Sequence, residues 1–95
     1  MGTPEGDVKK KIKALFEKHK AYYYMFVPTG YGKRGVPDFL VCVHGRFLAV
    51  EAKAGKGKPT GHQKKELQAV LNAGGTAFVI NEDNLDALEK WLESV

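Results

Sequence analysis

The sequence is short of several things, and each shortage excludes a class of protein. It has one cysteine, Cys42, so no disulfide can close within the chain; the residue suits a reducing compartment and reads as a small buried hydrophobe. No apolar run approaches the roughly 18 residues that a membrane span requires. The opening Met1-Gly2-Thr3-Pro4-Glu5 lacks the apolar segment of a secretory signal. The expected location is therefore intracellular and cytoplasmic, with no membrane partner. Acids are scarce through most of the chain. Up to Gly75 there are 14 Lys or Arg against 6 Asp or Glu, and from Thr76 onward only Lys90 against 5 acids. The net charge of +4 thus conceals a basic body with an acidic end, as an electrostatic footprint for nucleic acid would have. Lysine-rich helices are also common as plain solvated surface, and charge alone does not separate the two.

Length and apolar content bound the rest. Ninety-five residues, 43% hydrophobic and 11% aromatic, predict one globular domain over 1–95. Thr3 followed by Pro4 reads as an N-cap with proline in the first turn, and Val8, Ile12, Leu15 and Phe16 recur at helical spacing to about His19. Glu5 falls on or near that apolar stripe, where carboxylates are rare. Ala21 to Val27 is an aromatic strand. Gly30-Tyr31-Gly32-Lys33-Arg34-Gly35 spells a dinucleotide-binding fingerprint, but that fingerprint must open a helix. An apolar strand follows here, so the segment reads as a flexible basic loop. Phe39 to Val43 and Phe47 to Ala52 flank His44-Gly45, a two-residue turn with positive φ at both positions. Both runs are apolar on both faces, which predicts cover by helices. Lys53 to Pro59 reads as a mobile basic loop. Thr60 with Gln63 fits a capping box for a second helix to about Ala73, with Leu67, Val70 and Leu71 inward. Thr76 to Ile80 is a fourth strand, and a last helix over about Asn84 to Glu93 turns Leu85, Leu88, Trp91 and Leu92 inward. The expected fold is α/β, in the order αβββαβα, a mixed four-stranded sheet flanked by helices.

The hairpin carries the chemical argument. A two-residue turn at His44-Gly45 pairs Val43 with Arg46, so Asp38 lies opposite Glu51, with side chains on one face. Two residues beyond Glu51, on that face again, comes Lys53. Two carboxylates so placed repel each other unless a proton or a cation intervenes. A divalent metal resolves the conflict, and carboxylates with water are the ligands Mg²⁺ prefers. Such a metal activates water and offsets charge on a phosphodiester, with Lys53 available to orient the water or neutralise the transition state. A structural Asp–Lys or Glu–Lys pair at a strand end is the plainer reading of any one of these residues; three in register beside a basic loop favour the site.

At these residues the chain resembles a known family. Gly35-Val36-Pro37-Asp38, followed by Glu51-Ala52-Lys53 on the next strand, is similar to the PD-(D/E)xK motif of restriction-endonuclease-like nucleases, most of all the virus-type replication-repair nuclease (VRR-NUC) domain. Glu5 in the first helix and Gln63 in the helix after the motif match two further positions of that family. The resemblance implies a restriction-endonuclease-like fold and a DNA endonuclease dependent on Mg²⁺ or Mn²⁺. It implies Asp38, Glu51, Glu5 and the backbone carbonyl of Ala52 as metal ligands, Lys53 as assistant to the attacking water, and Gln63 beside the active site. Asp7 is an alternative to Glu5, and Gln63 serves equally as the capping partner of Thr60. The resemblance further implies a homodimer that acts on branched DNA such as four-way (Holliday) junctions. Surplus aromatics in the first strand, Tyr22, Tyr23, Tyr24 and Phe26, with Trp91 and Leu92, point the same way.

Tyr31, Lys33 and Arg34 in the first loop, and Lys56, Lys58 and Lys64 around the second, are candidate phosphate contacts. His62, His19 and His44 read as surface. The competing functions are a nucleic-acid-binding module that does not cleave and an end-processing nuclease or nickase. A carboxylate pair repels phosphate, so binding alone gives no reason for it.

Overall fold

The computed structural model describes residues 2–27 and 32–95. Its elements run α1 (Pro4–Lys18), β1 (Tyr22–Met25), β2 (Phe39–Val43), β3 (Arg46–Ala52), α2 (Gly61–Asn72), β4 (Thr76–Ile80) and α3 (Leu85–Ser94). The strands lie side by side in chain order; β1, β2 and β3 are antiparallel, and β4 joins β3 in parallel. The sheet is therefore mixed, and α2 is the crossover that parallel pairing requires.

Local chemistry explains the element boundaries. Thr3 caps α1, its hydroxyl accepting from the Gly6 N–H at 2.9 Å, with Pro4 in the first turn. Thr60 and Gln63 form the reciprocal capping box of α2. His44 and Gly45 both adopt positive φ, 49° and 76°, the conformation of the two-residue turn. The turn sets the register Val43↔Arg46 through Phe39↔Val50.

The core occupies one face of the sheet. Phe39, Val41 and Val43 of β2 and Leu48, Val50 and Ala52 of β3 pack with Ile80 against Val8, Ile12 and Phe16 of α1 and Leu88 and Leu92 of α3. Tyr23 joins them, its ring 5.2 Å from Phe16 and 6.1 Å from Phe39. Lys18 and His19 both reach Glu89 Oε2, at 2.7 and 3.0 Å, and tie α1 to α3. His19 is thus half-buried rather than a plain surface residue, because the end of α1 lies against α3.

Helical cover of the opposite face is partial, which corrects the expectation for β2. Helix α2 packs on β3 and β4 and does not extend over β1 and β2. Cys42 is exposed, as are Tyr22 and Tyr24, because alternation sends all three to the uncovered part. Leu71 is also exposed; α2 turns Leu67 and Val70 toward the sheet and carries Leu71 around its flank. Among the described residues no helix is long and apolar enough to cross a membrane.

Candidate active site

Asp38 stands where the loop after β1 meets β2, and it is braced from two sides. Its carbonyl accepts the Phe26 N–H at 2.7 Å, and its Oδ2 accepts the Ala52 N–H at 2.8 Å. Extending the hairpin register one residue past Phe39↔Val50 sets it across from Glu51, as counting outward from the turn predicts. The approach to Asp38 is itself fixed. Gly35 has φ +76°, and a Cβ there would lie 2.5 Å from the carbonyl carbon and oxygen of His62. Only glycine lets this loop seat against the start of α2.

Glu51 is 2% exposed and the sole buried charged residue among those described. Its Oε2 lies 3.4 Å from the Lys53 ammonium. Its Oε1 is buried with no hydrogen-bond partner among the described residues. Burial pushes the Glu51 carboxyl up to about 7; the Asp38 charge adds to this and the Lys53 charge opposes it. A buried carboxylate with an unmet oxygen costs free energy unless something pairs with it. Lys53 is held in place from the backbone side, its N–H donating to the Ile80 carbonyl at 2.9 Å.

Glu5 approaches through an intermediary. Lys9 Nζ lies 3.7 Å from Glu5 Oε2 and 3.5 Å from Asp38 Oδ1, so one ammonium spans the two carboxylates. Helical phase groups Lys9 with the polar residues of α1 and not with Val8, Ile12 and Phe16, and so hides it. The available signal is its position one turn after Glu5, within ion-pair reach. Asp7 is exposed and makes no ion pair among the described residues.

Among the described residues no hydrogen bond or ion pair joins Gln63, Lys33, Arg34, Lys56, Lys58 or Lys64 to Asp38, Glu51 or Lys53. The Gln63 Oε1 accepts the Thr60 N–H at 2.9 Å, as the capping partner of Thr60. Lys33 pairs with Glu66 at 3.1 Å. Arg34, Lys56, Lys58 and Lys64 are exposed. Gly30 and Tyr31 of the first loop lie outside the described residues. The loop after Lys53 is turned back on itself, Gly57 N–H donating to the Ala54 carbonyl and Gly55 N–H to Glu82 Oε1. His62 is exposed, and His44 Nδ1 lies 3.1 Å from the Val95 carbonyl oxygen.

Among the described residues no three His, Cys, Asp or Glu side chains converge as a ready-made ion cage. Mg²⁺ does not ask for one: it takes one or two carboxylates and keeps several waters. Asp38 and Glu51 supply that number, and the orphaned Glu51 Oε1 is the kind of atom a cation would satisfy. The residues present therefore fit a hydrated divalent ion.

No family model matches the chain. A curated protein of Acyrthosiphon pisum secondary endosymbiont phage 1, "Putative nuclease p44", is 32% identical over 85 residues, spanning 88% of this chain and 89% of that protein. Among solved structures, a VRR_NUC domain superposes with a TM-score of 0.70 at 27% identity, covering 98% of this chain and 94% of the other. Coverage this complete leaves no element of the fold unmatched, and the order of helices and strands is that of the restriction-endonuclease-like nucleases. The chain belongs to the VRR-NUC family.

Proposed function

We propose that the chain is a divalent-metal-dependent deoxyribonuclease that hydrolyses phosphodiester bonds, selects branched DNA such as Holliday junctions, and works as a homodimer. The observation that carries the nuclease reading is the buried Glu51, with one oxygen unmet, across from Asp38 and beside Lys53. Asp38 and Glu51 would hold Mg²⁺ or Mn²⁺, with the Ala52 carbonyl and Glu5 as further ligands. When bound, the ion supplies an acidified water and a counter-charge for the phosphate.

The chain's own residues do the rest. The Ala52 N–H fixes the Asp38 carboxylate, so one ligand is oriented before substrate arrives. Burial keeps competing water from Glu51 and strengthens its electrostatic interactions. Lys53, anchored beside Glu51, donates hydrogen bonds that orient the attacking water or offset charge gathering on the phosphate oxygens. Arg34, Lys56, Lys58 and Lys64 are exposed on loops and the α2 start, where they would grip the DNA backbone together with Lys33 and Tyr31. Such contacts position the strand and carry no sequence information.

Support for a dimer comes from the uncovered end of the sheet. Tyr22 is 78% exposed and Tyr24 is exposed with it on β1, whose outer edge has no partner among the described residues, and Phe26 and Val27 just past the strand are exposed too. Open edges and exposed aromatics are features that assembly removes. A cleavage panel of four-way junction, flap, duplex and single-stranded DNA, run with Mg²⁺ or Mn²⁺, tests the substrate reading. Preferential cutting of the junction is expected. Faster cutting of linear duplex would remove the branched selectivity, and no cutting of any DNA would remove the nuclease reading. Light scattering tests the assembly: a mass near 10.5 kDa for the protein alone, with no more than one chain bound per junction when DNA is added, would rule out the dimer.

A further inference from the structure

Lys9 belongs to neither the PD-(D/E)xK motif nor the basic loops, yet its ammonium sits at the site. It lies 3.5 Å from Asp38 Oδ1 and 3.7 Å from Glu5 Oε2, and its side chain is 27% exposed. The other Asp38 oxygen, Oδ2, is committed to the Ala52 N–H. Lys9 therefore faces the Asp38 oxygen that the backbone leaves open, the oxygen a metal would take.

The balance of charge around this point determines which group yields to a cation. Three carboxylates, Glu5, Asp38 and Glu51, stand against two ammoniums, Lys9 and Lys53. Without metal the formal sum is −1; a divalent ion added with both lysines in place makes it +1. Like charges within a few ångströms in a partly buried site repel strongly. One ammonium must give way. Lys53 is the less able: its side chain is only 14% exposed and stands beside the buried Glu51, and its backbone N–H is bonded to β4. Lys9 is more exposed, sits on the first turns of α1 and has a flexible four-carbon stem. Its two partners are 3.5 Å or more away, so it gives up loose ion pairs and no close hydrogen bond.

We infer that Lys9 is a built-in counter-ion of the metal-free site, occupying the open Asp38 oxygen, and that a divalent ion binds by displacing it. Lys9 keeps Asp38 and Glu5 from repelling each other before metal arrives, and thereby lowers the affinity of the site for metal. The displaced ammonium swings outward on the side of the site that solvent reaches. Lys9 is a positioning residue for the metal ligands. The inference rests on the assignment of Asp38 and Glu51 as those ligands.

Calorimetric titration of the metal-free protein with Mn²⁺ tests it without reference to cleavage. Lys9→Met keeps the stem and the helix propensity and removes the charge, so it should tighten the Mn²⁺ Kd about tenfold, within the range typical of coupled sites. Lys9→Arg should weaken it, because a guanidinium grips a carboxylate with two hydrogen bonds. Lys11→Met, at an exposed position of the same helix, controls for the general loss of a positive charge and should change the Kd less than twofold. An unchanged or weaker Kd in Lys9→Met, or an equal tightening in Lys11→Met, overturns the inference while leaving the metal site intact. Absence of Mn²⁺ binding by wild type and Lys9→Met alike overturns both the inference and the ligand assignment beneath it.

Discussion

The β2–β3 hairpin has two ends that obey different rules. At the turn, His44 and Gly45 take the positive φ values that a two-residue connection demands, and Arg46, Phe47 and Cys42 around it are exposed. Every local choice there agrees with the fold. At the open end, the same two strands bury Glu51, leave one of its oxygens unmet, and set it across from a second carboxylate. Nothing about folding favours that arrangement. A hairpin built for stability alone would carry Val or Thr in place of Glu51. The departure from local consistency sits where the chemistry is proposed, as expected when function is placed at a cost to stability.

Breaking the open end should cost activity and breaking the turn should cost stability. The largest effect is expected from Asp38→Asn or Glu51→Gln. Either should lower cleavage by about a thousandfold or more, which corresponds to about 4 kcal/mol of barrier, with the fold retained by circular dichroism. Wild-type rates in either variant would remove that residue from the site. Lys53→Ala comes next: cleavage should fall by about a hundredfold while DNA affinity changes little. Changing Lys33 and Arg34 to alanine should do the reverse, weakening affinity and flattening its salt dependence by about one unit of slope for each phosphate no longer gripped. Equal loss of affinity in both cases would make Lys53 an ordinary phosphate-binding residue.

The next effect is on stability and has a sign fixed by Glu51. Burial holds its folded-state carboxyl up at about 7, above the ordinary 4.5. Between those values the metal-free folded protein keeps a proton that the unfolded chain releases. The contribution of Glu51 to stability therefore falls as pH rises through this window, by at most about 3 kcal/mol. Glu51→Gln cannot lose that proton. In EDTA, the melting temperature of wild type relative to Glu51→Gln should drop from pH 5 to pH 8; a constant difference would show that Glu51 titrates normally. The smallest effect belongs to the turn. Gly45→Ala, at φ +76°, should destabilise by about 1 kcal/mol and leave the cleavage rate of the folded protein unchanged.

The two ends also differ in how far the sequence reveals them. The turn residues, the caps at Thr3 and Thr60 and the apolar periodicities are short-range signals, and they are enough to order the elements and to set Asp38 against Glu51. Side-chain periodicity says which residues share a face but not how far a helix extends over it. Hence Cys42 and Leu71, expected inside, lie outside. Lys9 is hidden for a different reason. Helical phase puts it among the solvated lysines of α1, and its meeting with Asp38, 29 positions away, depends on how α1 docks against the sheet. His19 shows the same limit, since Glu89 reaches it only through the packing of α3 on α1.

If the open end of the hairpin hydrolyses DNA with a divalent ion held by Asp38 and Glu51, activity must depend on the ion and on Glu51 together. The most direct measurement follows an end-labelled four-way junction incubated with purified protein, first in EDTA and then with Mg²⁺ restored in excess, for wild type and Glu51→Gln side by side. Wild type should leave the junction intact in EDTA and cut it once Mg²⁺ is restored, and Glu51→Gln should cut in neither condition. Cutting by wild type that persists in EDTA, or cutting by Glu51→Gln at the wild-type rate, would contradict that dependence.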